Sequence, residues 1–282
     1  MFRALLAAAA LAVATPAAAE TVKFAVTDIE GLEVLQQEFG AFEAALETST
    51  GLDIELFPVN SRTAAVEALN ADQVDFVLTG PAEYVVIKEL TDAKIVVAWQ
   101  RPDYFAQIVV LADGPVKSIE DLKGKTVTFG SVGSTSQHLG PARALADLGL
   151  NYGADYDAQI ISRNVAVEAM IRGAGVGMNM GHLRKVRKAF PENAFTVVAR
   201  GRDLPNDILV ARNDVSDEVF DKVRDAFVND GAALMEAILK GEDNGKYEGG
   251  FFLTSVNDAD YDYVRDMYRT IGVADFGAFV GD

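Results

Sequence analysis

The chain has no cysteine, two histidines and one tryptophan among its 282 residues. Without cysteine there is no disulfide framework, no thiolate metal site and no lipid-modified amino-terminal cysteine. Two imidazoles, His138 and His182, leave little material for a catalytic triad. Positive charge is also scarce: 25 Lys and Arg stand against 42 Asp and Glu, for a net charge of −17. That imbalance argues against nucleic acid or an anionic membrane surface as a partner. It does not argue against a small anion, because a pocket is governed by the donors and dipoles that line it. Long apolar runs are missing except at the start, MFRALLAAAALAVATPAAAE. Arg3, an alanine-leucine stretch and Ala17-Ala18-Ala19 give a secretory signal peptide over 1–19, cut before Glu20. Its apolar part is too short to span a bilayer. The expected product is an exported, soluble chain in a bacterial periplasm, with no membrane insertion.

The remaining 263 residues suffice for one large or two medium units. Strand-like and helix-like stretches alternate: TVKFAV (21–26), a helix over 34–50, LDIELFPV (52–59), a helix over 61–73 capped by Ser61, VDFVLTG (74–80) and a helix over 81–90 with Pro81 in its first turn. Such alternation predicts an α/β fold with an open, largely parallel sheet. The pattern restarts after residue 115, with helices over 134–150, 164–173 and 182–190 between short strands. QIVVLAD (107–113) and NDILVARND (206–214) read as two crossover strands bracketing a second lobe. The C-terminal helices, 216–240 and 257–271, return to the first. The expected division is 20–106 with 211–282 as one lobe and 107–210 as the other, with a cleft between them.

Residues 130–141, GSVGSTSQHLGP, gather glycines and hydroxyls directly after an apolar strand. A nucleotide loop of the form GxxxxGK[ST] fails for want of lysine, and GSTSQ does not match the GxSxG elbow of serine hydrolases. His138 lies two residues past Ser136 and points elsewhere round a helix, so it offers no local base. Two readings stay open. Ser134 is merely a helix cap with glycines serving the turn, or the helix start and three successive hydroxyls capture an oxyanion.

IEDLKGKTVTFGSVGSTSQHLGP, with VDFVLTGPAEYV upstream and LPNDILVARND downstream, resembles the phosphonate/phosphite/phosphate-binding proteins of bacterial ABC importers across essentially the whole chain after residue 20. The resemblance implies a type II periplasmic binding protein: two α/β lobes with mixed sheets, joined by two crossover strands and closing on a ligand. It implies delivery of a small anionic ligand to an ABC permease in the inner membrane by a monomer, with no catalysis and no cofactor. By match to the family pattern, Ser134, Thr135 and Ser136 hold phosphonate oxygens, Tyr104 contacts ligand, and Asp207 corresponds to an aspartate that in some members meets the ligand's amino group. Thr79 and Tyr84 join the expected site from the VDFVLTGPAEYV segment.

Departures from the family pattern shift the expected ligand. Arg62 stands where relatives commonly carry a tyrosine, Asn164 where many carry a histidine, and Gly177 where an aspartate is frequent; Arg184 falls near a carboxylate position. Arg62 and Asn164 are carried forward as site residues, and Arg62 is read as either pocket or surface. Loss of acids with gain of arginine favours a fully anionic ligand over 2-aminoethylphosphonate, because guanidinium grips carboxylate or phosphate two-pronged. Two other readings are a sensory protein docking on a histidine kinase, and a binder of a different oxyanion or metal. For the metal, Asp28, Glu30, Glu33, Tyr84 and Tyr104 would supply oxygens.

Overall fold

The computed structural model describes residues 19–29, 31–59, 61–161 and 163–278, and leaves the side chains of Arg62, Arg163 and Asn164 undescribed. The expected signal segment therefore lies outside the described residues, except for Ala19. Among the described residues no helix is long and apolar enough to cross a membrane.

In chain order the first half contains β1 (Thr21–Val26), α1 (Leu32–Thr50), β2 (Asp53–Pro58), α2 (Arg62–Asn70), β3 (Phe76–Thr79), α3 (Pro81–Leu90) and β4 (Lys94–Trp99). Ser61 caps α2 by accepting the Ala64 N–H at 3.1 Å. Pro81 opens α3, where its missing N–H costs nothing. Next come β5 (Phe105–Leu111), β6 (Thr126–Phe129), α4 (Gly140–Asp147), β7 (Asp157–Ile160), α5 (Arg163–Ile171), β8 (Gly175–Asn179), α6 (Met180–Ala189) and β9 (Phe195–Asp203). The chain closes with β10 (Asp207–Ala211), α7 (Asp217–Asn229), α8 (Gly231–Ile238), β11 (Phe252–Leu253) and α9 (Asp262–Thr270).

These strands form two sheets, ordered β11-β4-β10-β3-β1-β2 and β7-β6-β8-β5-β9. Neither is largely parallel. In the first sheet β10 inserts antiparallel between β3 and β4. In the second, β5 runs antiparallel to both β8 and β9. The reason is connectivity: a chain that leaves one sheet and later re-enters it runs back against the strands already laid down. The changes of sheet fall at 100–104 and 204–206, so the expected boundaries at 106/107 and 210/211 lie inside β5 and β10. Leu204 N–H donates to the Tyr104 carbonyl at 2.8 Å, and Arg101 N–H to Asn206 Oδ1 at 3.1 Å, tying the two crossings together.

Period-two alternation places apolar side chains on both faces of each sheet. In β10, Leu209 and Ala211 enter the core of α1, α7 and α8, where Phe42 packs edge-on against Phe24 and Trp99. Ile208 and Val210 enter the opposite core, under α2, α3 and α9. The second sheet buries Ile108, Val127 and Phe129 against α4, and Val109, Val176 and Met178 against α5 and α6. The 216–240 stretch, expected as one helix, is two, broken between Asn229 and Gly231.

Candidate ligand-binding cleft

A cavity of about 680 Å³ opens between the lobes, lined by Thr27, Thr79, Glu83 and Asp207 of the first, Arg101–Tyr104 of the crossing, and Ser134–Gln137 and Asn179 of the second. Its second-lobe wall is the hydroxyl turn. The helix here begins with a wide π-type turn, Thr135–Leu139, before α4. The Ser134 carbonyl accepts from both His138 and Leu139 N–H at 3.0 Å, so the amides of Thr135, Ser136 and Gln137 precede the first helical bond. In an α-helix the Gln137 carbonyl would accept from residue 141, but Pro141 has no N–H. Gly130 N–H donates to it instead, at 3.0 Å, and closes the loop. Gly133, at φ +70°, donates to His138 Nδ1 at 3.0 Å, and His138 Nε2 meets the Tyr152 hydroxyl at 2.9 Å. His138 therefore braces the loop from behind.

Thr135 and Ser136 are buried and Ser134 is half-buried. Thr135 Oγ1 accepts the Ala82 N–H at the start of α3, 3.0 Å away in the other lobe. Ser136 Oγ accepts from Asn179 Nδ2 at 2.9 Å, while Asn179 Oδ1 caps α6 through the His182 N–H. Each hydroxyl, having accepted one bond, retains its own hydrogen to donate. Tyr104 is 7 % exposed and lies within hydrogen-bonding reach of Ser136. Burial, and secondarily Asp207, push its pKa up to about 12 against the pull of Arg101 and Ser136, so its hydroxyl stays protonated at neutral pH.

The opposite wall is charged. Asp207, at the start of β10, receives Arg101 Nη1 at 3.1 Å on Oδ1 and the Tyr247 hydroxyl at 2.7 Å on Oδ2. Lys246 Nζ stands 3.9 Å from Oδ2, and the Arg101 guanidinium lies 3.7 Å over the Tyr104 ring. Burial, the largest single influence, opposes the charge on Arg101, but Asp207 with Tyr104 and Tyr247 together outweigh it and raise the pKa above its ordinary value. Lys246 and Tyr247 belong to a 3-10 turn, Glu242–Tyr247, pinned by Glu38: its Oε2 accepts the Asp243 N–H and its carbonyl accepts Asn244 Nδ2, both at 2.9 Å.

Ser134, Thr135, Ser136, Tyr104, Asp207 and Thr79 thus share one cavity, with Thr79 bonded to Thr27 at 3.0 Å between hydroxyls. Tyr84 does not join them. Only the first turn of α3 faces the cleft; Tyr84 is turned towards α9, its hydroxyl donating to Asp258 Oδ1 at 2.7 Å and its ring 4.4 Å from Tyr261. Arg62 and Asn164 fall outside the described side chains. Gly177 is no cleft position: an added Cβ would stand 2.7 Å from Pro141 Cβ and 3.0 Å from Phe129 Cδ1. Its lack of a side chain serves packing behind the hydroxyl turn. Arg184 sits at the rim, paired with Asp103 at 3.1 Å, both well exposed. Among the described residues no group of three or more His, Asp or Glu is placed to hold a metal. Glu30 lies outside the described residues.

The sequence reading missed Arg101, Glu83, Asn179, Lys246 and Tyr247. Arg101 had one local signal, its place three residues before Tyr104. Tyr247 had none, since its role depends on Asp207, 40 residues earlier.

Two sheet-centred lobes, crossed twice by the chain and facing a donor-lined cleft, define a type II periplasmic binding protein. The family model described as "ABC transporter, phosphonate, periplasmic substrate-binding protein" matches residues 24–255, and the chain belongs to that family. Its members bind a solute for a transporter and are not enzymes. The phosphonates-binding periplasmic protein of Escherichia coli is 22% identical over 244 residues, covering 80% of this chain and 72% of that protein. The phosphate-import protein PhnD of Mycolicibacterium smegmatis is 24% identical, covering 90% and 86%. PhnD1 of Prochlorococcus marinus, solved in complex with methylphosphonate, superposes with a TM-score of 0.68 at 18% identity, covering 90% and 98%. Membership implies a periplasmic location, a small ligand and a permease partner.

Proposed function

We propose that the cleft captures a phosphorus oxyanion of the phosphonate, phosphite or phosphate class on the turn at Ser134–Ser136. One observation carries this reading: Thr135 and Ser136, buried at a helix start whose first amides precede the first helical hydrogen bond, line the cavity. Thr79 and Tyr104 supply further hydroxyls around it, and the names of the two curated relatives point to the same ligand class. Residues 1–19 export the chain, which works as a monomer and hands its ligand to an inner-membrane permease.

Each charge-assisted hydrogen bond is worth about 1.5–3 kcal/mol. Several of them, less desolvation and lobe-ordering costs, give binding in the micromolar range or tighter. Ser136→Ala removes one donor and should weaken phosphate or methylphosphonate binding by about tenfold in calorimetry. It also leaves Asn179 Nδ2 without its acceptor, at a stability cost of about 1 kcal/mol. Unchanged affinity in a folded Ser136→Ala protein would place the oxyanion elsewhere.

A further inference from the structure

The two walls of the cleft differ in whether their polar groups are already engaged. The hydroxyl turn keeps donors to spare. Asp207, the buried carboxylate facing it, is already paired: Arg101 Nη1 contacts both oxygens, at 3.1 and 3.4 Å, and the Tyr247 hydroxyl takes Oδ2 at 2.7 Å. Lys246 adds a second cation 3.9 Å away. The guanidinium is itself fixed, 17 % exposed, stacked on Tyr104 and carried by a backbone N–H held to Asn206. Displacing it would strand a buried charge, which is costly. Two other buried acids line the cavity: Glu83, in the first turn of α3, where the helix start offsets its charge, and Glu38, whose Oε2 accepts the Asp243 N–H.

We propose that Arg101 is the specificity-determining residue of the cleft. By occupying the Asp207 carboxylate it restricts the substituent on the bound oxyanion to neutral or anionic groups and turns away ammonium. The inference rests on the oxyanion reading above and adds the chemical class of the rest of the ligand. An ammonium entering beside Asp207 meets two cations, Arg101 and Lys246, and a carboxylate whose charge is already paired, a repulsive arrangement of the kind that makes specificity. A methyl group, a proton or a further oxygen meets no such conflict.

The test is calorimetry with phosphate, methylphosphonate and 2-aminoethylphosphonate. The wild-type protein should bind the first two at least about tenfold more tightly than the amino compound. Arg101→Met frees Asp207 and should shift the ratio of amino to methyl affinity by about ten- to a hundredfold towards the amino compound. Arg101→Lys, which keeps a cation beside Asp207, should stay near the wild-type ratio. If Arg101→Met does not fold, Arg101→Gln decides: it keeps a hydrogen-bond donor for Asp207 but removes the cation, and should shift the ratio in the same direction. Tightest wild-type binding of 2-aminoethylphosphonate, or an unmoved ratio in folded Arg101→Met or Arg101→Gln, overturns the role given to Arg101 and leaves the oxyanion reading standing. Failure of all three ligands to bind the wild type overturns both.

Discussion

The cleft's two walls are built on opposite plans. The wall at Ser134–Ser136 is contiguous in sequence and made of neutral donors, amides and hydroxyls fixed by a helix start. The wall at Arg101, Asp207 and Tyr247 is drawn from three distant stretches and made of charges that neutralise one another. A contiguous neutral wall can face an anion without first solving a desolvation problem of its own. A charged wall must be balanced internally before any ligand arrives, and in the role proposed for Arg101 that balance decides which substituents are tolerated. On that proposal, affinity and selectivity are lodged in different parts of the fold.

The contrast can be broken at several points. Asp207→Ala leaves the Arg101 guanidinium buried without its carboxylate and should cost about 3–5 kcal/mol in denaturant unfolding, the largest effect here. Gly177→Asp attacks the neutral wall from behind, forcing a side chain against Pro141 and Phe129. Overpacking and a buried carboxylate together should cost about 3 kcal/mol, read as a lowered unfolding midpoint. Arg184→Ala removes a rim pair whose partners are 66 % and 63 % exposed. Stability should change by no more than about 0.5 kcal/mol, which would separate the rim from the charged wall.

The smallest effect lies away from both walls, at Asp258. Burial raises its pKa, but hydrogen bonds from Arg265 and Tyr84 outweigh that and hold it below its ordinary 3.8. A carboxylate depressed in the folded state stabilises above the unfolded value and loses that contribution as pH falls through the folded one. Asp258→Asn should therefore flatten part of the stability loss below pH 3.8, with phosphate affinity unaltered.

What could be read from the sequence divides along the same line. The turn was legible as a turn because its glycines and hydroxyls lie in one run directly after an apolar strand. Helix α3 was legible to the residue, since Pro81 fixes where it begins. Arg101 was not, because a lone arginine before proline acquires meaning only when Asp207 and Tyr247 are brought to it. Tyr84 was misplaced for a related reason: sequence shows that α3 starts at the cleft but not which of its faces turns away. Gly177 was taken for a missing acid when its hydrogen faces a proline ring. The existence of β10 followed from its apolar, extended run, but its membership of the first sheet is a property of long-range pairing.

Pro141 acts on residues that precede it. Its nitrogen has nothing to give, so the oxygen one turn back is left over and Gly130 claims it, drawing the strand end and the helix together like a purse string. The turn that lines the cavity is thus fastened at its rear by the consequence of one missing hydrogen, on a residue that does not itself line the cavity.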